Sequence, residues 1–261
     1  MSGHSKWSKI KHQKGINDAK KGKVFSKLAQ QITIAARDGG SGDPNANPSL
    51  RMMMQKAKAV SMPMVNVQKA IDKGVGAGGS ASSLETIVYE GFAPNQVGVI
   101  VECLTDNKNR SISELRNIFH DNGGTIAEPG AVSWNYNKRG YISIRPAIYV
   151  DAVKFGAEKE VKELDKEEVT LQLMEISGIM DIQENQGEEN LYLDIYTDPQ
   201  KFGSVRDAIV AKEYIVDEAE LAYVPKMVKT GLTEEQIDRV DHFVEAVEES
   251  EDVVNVWTDL G

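Results

Sequence analysis

The chain has 261 residues, of which 41% are hydrophobic and 27% charged, a balance typical of globular rather than disordered proteins. Its length favours two or three domains over one. One cysteine, Cys103, excludes an internal disulfide and a multi-cysteine zinc cluster. No segment reaches the ~20 apolar residues of a membrane span, and the first residues lack an apolar signal region, so we expect a cytoplasmic protein.

Positive charge is concentrated in the first part of this acidic chain. Residues 1–75 hold 14 Lys and Arg against four acidic residues, a net charge of +10. Residues 76–261 hold 16 against 36, a net charge of −20. Such asymmetry predicts an anionic partner for the basic part. The acidic remainder disfavours unspecific adhesion to the same polyanion.

The basic part has the apolar spacing of three helices. In the first, the apolar stripe ends before a glycine pair and consists of Val24, Phe25, Leu28, Ala29, Ile32 and Ala36. Asn47 and Pro48 predict the N-cap and first residue of the second helix. Pro63 begins the third helix and Gly74 ends it. Three helices of this length can bury one small core as a bundle.

Residues 74–83 are predicted to be a flexible glycine- and serine-rich linker. They follow a helix rather than a strand and lack the Gly-Lys-Ser/Thr of a nucleotide-binding loop. Beyond the linker the hydrophobic period becomes that of strands. The pattern predicts two strands at 86–92 and 97–105, followed by a helix at 109–124 that Ser111 or Ser113 caps. Two further strands are predicted at 131–137 and 140–145, joined by an Asn-Lys-Arg-Gly turn.

The charged segment 157–168 is predicted to be a solvated helix or linker. After this segment we predict helices at 167–178 and 198–212 and strands at 180–185, 191–197 and 218–225. With the strand 140–145 in front, these elements follow the β-α-β-β-α-β order of a ferredoxin-like domain. Thr233 and Gln236 form a capping box that begins a last helix. The final strand, 253–259, is expected to return to the sheet of 86–136.

The sequence therefore predicts a multidomain α+β protein. An N-terminal three-helix bundle is followed by two α+β domains, of which one is ferredoxin-like and inserted in the other. The predicted domains are 1–77 for the basic arm and helices, 84–136 with 226–261 for a discontinuous middle domain, and 137–225 for the inserted domain.

Motifs of the common catalytic classes are absent from the sequence. None of the four histidines, His4, His12, His120 and His242, stands in a metal-binding His-x-x-x-His arrangement. The sequence also lacks a nucleophile turn and a dinucleotide fingerprint. Cys103 lies in an apolar run and is expected to be a buried small hydrophobe. We therefore expect no enzymatic activity, no cofactor, no metal and no small-molecule substrate.

The N-terminal arm, residues 1–27, is the strongest candidate for a binding site. Its eight lysines stand against one acidic residue, Asp18, and are Lys6, Lys9, Lys11, Lys14, Lys20, Lys21, Lys23 and Lys27. Phosphate backbones reward such density because each neutralised phosphate releases condensed counterions. Lysine acts as a point charge, which favours contact with backbone and shape over sequence readout. A merely solubilising role is the alternative.

Two further features leave alternatives open. Trp7 either stacks on an unpaired base, worth roughly 1–3 kcal/mol per base, or docks on the protein's own surface. A polar and basic spot at 105–111 either donates hydrogen bonds to a phosphate or to RNA, or only caps a helix. The candidate donors of this spot are Asn107, Lys108, Asn109 and Arg110.

Five segments resemble the YebC family, among them "GHSKWSKIKHQKG", "MPMVNVQKAIDKG" and "VGVIVECLTDNKNRSISELRN". The family includes bacterial proteins described as probable transcriptional regulators and a mitochondrial translational activator of cytochrome oxidase subunit one. The resemblance runs nearly end to end and implies a helical domain followed by two α+β domains, one ferredoxin-like and inserted in the other. The binding residues that it implies are Lys6, Trp7, Lys9, Lys11, His12, Lys14, Lys20, Lys23, Lys27, Asn107, Asn109 and Arg110.

The resemblance implies a nucleic-acid-binding regulator of gene expression, either a DNA-binding transcriptional regulator or a translational activator that binds RNA and the ribosome. The residues favour RNA, because no helix shows the exposed Arg, Asn and Gln of a helix-turn-helix reader. A lysine-rich arm with one tryptophan suits unstacked bases. Expected partners are DNA, ribosomal or messenger RNA, and the ribosome. The alternative is a protein–protein interaction module that uses its acidic α+β domains, with the arm only a tether.

Overall fold

A computed structural model of the chain describes residues 21–76, 85–150, 160–187 and 190–261. By its internal contacts the chain divides into two compact units. The first unit holds the described residues up to Trp134 together with Lys229–Thr258. The second unit holds Asn135–Val228 and Asp259–Gly261.

Three helices open the first unit: α1 (Lys21–Asp38), α2 (Pro48–Ala59) and α3 (Met64–Val75). Asn47 caps α2 as predicted, since its side chain accepts the N–H of Leu50 at 3.1 Å and Pro48 follows at the first helical position. α1 packs against both α2 and α3. The buried apolar side chains of the three helices include Leu28, Ile32, Ala36, Leu50, Met53, Ala57, Val67 and Ile71.

Close contact between α1 and α3 depends on a glycine. A Cβ on Gly74 would lie 2.4 Å from the carbonyl oxygen of Thr33 and 2.8 Å from the Cβ of Ala36. The hydroxyl of Thr33 donates to the carbonyl of Ala70 at 3.0 Å across the same contact.

The prediction that Gly74 ends the third helix is wrong, because Gly76, at φ 71°, forms the C-cap.

A four-stranded antiparallel sheet follows in the first unit. Its strands are β1 (Glu85–Ala93), β2 (Val97–Thr105), β3 (Thr125–Ala127) and β9 (Val253–Thr258), and they pair in the order β3-β1-β2-β9. The last strand of the chain therefore pairs with β2, whose residues are nearly all buried. The short edge strand β3 is an element that the sequence did not predict.

Two helices of the first unit meet through aromatic side chains. They are α4 (Lys108–Asp121) and α7 (Glu234–Glu248). The rings of Phe119 and Phe243 lie edge to face with centroids 4.8 Å apart. The predicted capping box of Thr233 and Gln236 is confirmed at the start of α7.

The segment that links the two units does not form the two strands predicted at 131–137 and 140–145. Residues 129–132 are turns and Ser133–Asn135 form a 3-10 helix instead of a strand. The carboxylate of Glu90 holds this segment, because it accepts the N–H groups of Gly130, Val132 and Ser133 at 2.8, 2.7 and 2.8 Å. The predicted turn at 137–140 is also wrong. These residues lie inside one continuous strand, β4 (Tyr136–Val150).

The second unit is built on β4, which pairs antiparallel with β5 (Glu160–Glu163), β7 (Leu191–Thr197) and β8 (Tyr214–Pro225). β7 also pairs with β6 (Ile179–Gln186). The helices are α5 (Lys166–Met174) and α6 (Phe202–Ala211). The predicted order of strands and helices is present with one addition, β5, where a solvated helix or linker was expected.

The protein is thus an α+β protein, in which a helical N-terminal domain of three described helices precedes β-rich domains. Within the described ranges no helix combines the length and the apolar character that a membrane span requires.

Candidate nucleic-acid interface

Most predicted residues of the basic arm lie outside the described residues, namely Lys6, Trp7, Lys9, Lys11, His12, Lys14 and Lys20. Lys21 and Lys23 belong to α1, but their side chains are outside the described part as well. The binding role of all these residues stays a prediction.

Lys27 is the arm lysine whose side chain is described. Its Nζ lies 3.5 Å from the carboxylate of Glu248 at the end of α7, and both side chains are about one-third exposed or less. A single pair of this kind contributes roughly 0–1 kcal/mol. Lys27 therefore lies at the contact between α1 and the C-terminal end of α7, where a phosphate would compete with Glu248.

Asn107 is the N-cap of α4. Its side chain accepts the N–H of Arg110 at 3.1 Å, so neither Ser111 nor Ser113 is the cap that the sequence predicted. The helix begins at Lys108, and Nζ of Lys108 lies 2.5 Å from the carboxylate of Glu85. Both of these side chains are more than half exposed. The 105–111 spot thus contains a helix cap, and its contact with nucleic acid stays a prediction.

Arg110 is held by a carboxylate distant in sequence. Its Nη2 donates to both oxygens of Asp252, at 2.9 and 3.0 Å, and lies 3.2 Å from Asp106. Hydrogen bonding to Asp252 and the negative charge of that group raise the pKa of Arg110. The side chain nevertheless remains half exposed.

Asp252 is a buried acceptor that the sequence analysis missed. It accepts the hydroxyl protons of Ser111 at 2.6 Å and Thr105 at 3.2 Å, besides the Arg110 guanidinium. Thr105 and Ser111 are each 1% exposed. Asp252 thereby joins the turn after α7 to the start of α4. Since 142 positions separate it from Arg110, no local pattern could have paired them.

The described helical domain, residues 21–76, carries nine Lys and Arg against three acidic residues. Arg51 and Lys58 on α2 and Lys69 and Lys73 on α3 are exposed. Within the described ranges, no carboxylate lies at ion-pair distance from any of these four side chains. They give the helical domain positive charge that no described carboxylate neutralises.

A groove of about 700 Å³ lies in the first unit, between the helical domain and the sheet domain. Its floor is α1, with Phe25, Ala29 and Thr33. One wall is α3, with Lys69 and Lys73, and the opposite wall consists of Asp106, Arg110, Glu251 and Asp252. The side-chain amide of Gln30 donates to the carbonyl of Glu251 at the base of that wall.

The groove residues escaped the sequence analysis for different reasons. Phe25 and Ala29 were assigned to the buried apolar stripe of α1, yet they line the groove. Lys69 and Lys73 are four residues apart and so share one face of α3. Their spacing and the small Ala70 beside them were the local signals available.

Candidates for metal or nucleophilic chemistry do not cluster in the described part of the chain. No group of three or more His, Cys, Asp and Glu side chains there has metal-binding geometry. Cys103 is buried, as predicted, and burial raises the pKa of its thiol to about 12. His120 is 90% exposed and lies 3.2 Å from Asp121.

Family models match almost the whole chain. The model described as the TACO1/YebC protein N-terminal domain matches residues 5–77. The model described as the TACO1/YebC second and third domain matches residues 84–260. Residues 78–83, which lie between the two matches, belong to the predicted linker.

Full-length relatives are similar to this chain. A probable transcriptional regulatory protein of Lactobacillus acidophilus is 41% identical over 258 residues, which cover 99% of this chain and 98% of the relative. The probable transcriptional regulatory protein YrbC of Bacillus subtilis is 36% identical over 258 residues, with 99% and 98% covered. These relatives are described as probable transcriptional regulatory proteins, which agrees with the non-enzymatic protein that the sequence predicts.

A solved structure supports the same assignment. The crystal structure of a conserved hypothetical protein from Aquifex aeolicus superimposes with a TM-score of 0.78 at 32% identity, covering 98% of this chain and 97% of that one. The predicted resemblance is confirmed, and the chain belongs to the TACO1/YebC family.

Proposed function

We propose that this protein is a non-enzymatic regulator of gene expression that binds nucleic acid through its N-terminal arm and helical domain. The observation that carries the proposal is the set of exposed cations on α2 and α3 that have no ion-pair partner among the described residues, namely Arg51, Lys58, Lys69 and Lys73. Phosphates are the natural counterions of such a surface. The description of the relatives as probable transcriptional regulatory proteins supports the same class of function.

The arm extends this surface in the proposal. Lys6, Lys9, Lys11, Lys14 and Lys20 precede α1 in the sequence, so they continue the positive charge of the helical domain. Trp7 and His12 are proposed to contact bases or riboses. The target is DNA in a transcriptional regulator and ribosomal or messenger RNA in a translational activator, and phosphate contact serves both.

The 105–111 spot has a secondary part in the proposal. Asn107 is occupied as a cap and Lys108 is paired with Glu85, so their side chains are partly committed. Asn109 is exposed, and Arg110 keeps half of its surface free. We assign contact with nucleic acid in this spot chiefly to Asn109 and Arg110.

The domain organisation belongs to the same proposal. We propose that 137–225 forms a ferredoxin-like domain inserted in a middle domain of 84–136 and 226–261, after an arm and helical domain of 1–77. The antiparallel pairing of β8, β4, β7 and β6 in that order supports the ferredoxin-like assignment. The pairing of β9 with β2 supports a discontinuous middle domain.

Binding over a salt series tests the proposal. The full chain is titrated with labelled duplex DNA and single-stranded RNA, and is co-sedimented with ribosomes. In a matched variant, glutamine replaces Lys6, Lys9, Lys11, Lys14 and Lys20. The slope of log affinity against log salt is expected to flatten by roughly 0.7–0.9 for each phosphate that the variant no longer neutralises.

The result also distinguishes the proposed targets. Tight ribosome binding that depends on the arm lysines indicates a translational activator. Duplex binding that persists at physiological salt and discriminates between sequences indicates a transcriptional regulator. Binding to neither would contradict the proposal and favour the alternative, a protein-interaction module with the arm as a tether.

A further inference from the structure

We propose that the groove between the helical domain and the sheet domain binds a short stretch of unpaired nucleotides, with the phosphates along α3 and a base on Phe25. This inference rests on the proposed function and assigns part of it to one site. The ligand is a single strand of RNA or DNA, because the two share the phosphates and bases on which the argument depends.

Cations that are free to bind a ligand line one wall of the groove. Lys69 and Lys73 are exposed and four residues apart on α3, so their side chains lie beside each other along the groove. No carboxylate of the described residues forms an ion pair with either. Two neighbouring ammonium groups that no described carboxylate pairs with can follow successive phosphates of an extended strand.

The floor offers an aromatic surface. Phe25 is partly exposed on α1 and lines the groove together with Ala29, whose small side chain lies one helical turn away on the same face. Single-strand-binding proteins combine a cationic groove with aromatic rings on which bases stack. The wall of α3 and the floor of α1 bring these two components together.

The opposite wall determines which side of the bound nucleotides, phosphate or base, faces each wall of the groove. The carboxylates of Asp106 and Glu251 repel phosphates, and they can accept hydrogen bonds from base amino groups or ribose hydroxyls. Arg110 uses only Nη2 for its bonds to protein, so its Nε and Nη1 have no partner among the described residues. The charges therefore place phosphates toward α3 and bases toward the start of α4.

The size of the groove selects a single strand. Its volume of about 700 Å³ falls within the range of small-ligand pockets, about 300–1,000 Å³. Such a space accommodates one or two nucleotides, whereas a duplex keeps its bases stacked inside. Duplex DNA is therefore expected to contact the positive surface of the helical domain without entering the groove.

Fluorescence anisotropy on the full chain tests the assignment. The probes are a labelled twelve-nucleotide oligouridine, oligothymidine of the same length and a duplex DNA. The groove variants are K69A/K73A and Phe25→Leu, and Phe25→Trp restores an aromatic surface. The matched control is K56A/K58A, which removes two lysines from α2 without touching the groove. Circular dichroism checks that each variant is folded.

If the groove is the binding site, the groove variants should lose affinity for single strands but not for duplex DNA. Phe25→Leu is expected to weaken binding of both single strands roughly tenfold, with duplex binding unchanged, and Phe25→Trp to restore it. K69A/K73A is expected to flatten the single-strand salt slope by about 1.4, more than the control pair does. Equal affinity for the two single strands indicates recognition of phosphates and bases, and a preference for oligouridine adds the ribose hydroxyl.

Other outcomes would overturn the assignment of the groove as a binding site, and they distinguish that failure from a failure of the proposed function. If the groove and control variants lose equal affinity on every probe, nucleic acid binds over the general surface, and only the groove assignment falls. If the wild type binds none of the probes, the proposed function fails as well. If an oligoarginine peptide binds instead and D106N/E251Q abolishes that binding, the groove is a site for cationic peptide.

Discussion

Replacing Asp252 by alanine is expected to destabilise the first unit by about 3 kcal/mol. The carboxylate is 9% exposed and accepts hydrogen bonds from Arg110, Ser111 and Thr105. It therefore fastens the turn before β9 to the start of α4. Truncation removes one acceptor group and leaves three donors to find other partners.

The magnitude follows from what each donor can do afterwards. Losing the charge-assisted bond of Ser111 costs about 1.5–3 kcal/mol, but its hydroxyl lies 3.1 Å from the carbonyl of Asn107 and recovers part of this there. The hydroxyl of Thr105 is 1% exposed, so an unsatisfied proton costs about 1–3 kcal/mol. The half-exposed Arg110 pair adds little to this sum, because solvent screens its charge.

Thermal and urea unfolding of the full chain measure the effect. For a unit of this size, about 3 kcal/mol corresponds to a Tm lower by roughly 6–12 °C. Glu251→Ala is the matched control, because the neighbouring side chain forms no ion pair within the described ranges, and its effect is expected within about 0.5 kcal/mol. Equal losses in the two variants would refute the reasoning, as would an unchanged Tm for Asp252→Ala.

Three further predictions test local structure. Partial burial alone would raise the pKa of Glu90, but N–H donors of Gly130, Ser133 and Val132 outweigh it, so the pKa is lowered from 4.5. Its stabilisation is present above about pH 4.5 and is lost as the pH falls through the lowered pKa. Glu90→Gln should therefore destabilise the first unit at neutral pH by about 1 kcal/mol, since solvent screens this partly exposed carboxylate and the amide oxygen can still accept, and the difference from wild type should narrow in acid unfolding curves. Asn107→Ala should cost about 1 kcal/mol in urea unfolding through the lost cap, whereas Asn109→Ala, an exposed neighbour, should cost almost nothing. Gly74→Ala should lower the Tm, because the overlap with Thr33 costs about 1–3 kcal/mol and exceeds the helix propensity gained, whereas Gly203→Ala in α6 meets open space and should be neutral or stabilising.

Features set by neighbouring residues could be predicted from the sequence. Asn47 with Pro48, and Thr233 with Gln236, each lie within one helical turn of what they cap, so residue type and spacing suffice. The burial of Cys103 followed from the apolar run around it.

Features set by distant residues could not be predicted. The turns and 3-10 helix at 129–135 depend on Glu90, which lies 40 positions before Gly130, and the apolar residues of this segment alone resemble a strand. Asn107 competed with two serines for the cap of α4, and tertiary contacts decided between them, since Asp252 engages Ser111. Phe25 has the spacing of a core residue, and only the separation of α3 from the sheet domain makes it a groove residue.

Ultraviolet cross-linking of the full chain to single-stranded RNA, followed by mass spectrometry of the linked peptides, tests the central claim most directly. The account predicts links in residues 1–27, with Trp7 and Phe25 as aromatic attachment points, and in α3 around Lys69 and Lys73. Links confined to the second unit, or none at concentrations where RNA binds, would contradict it.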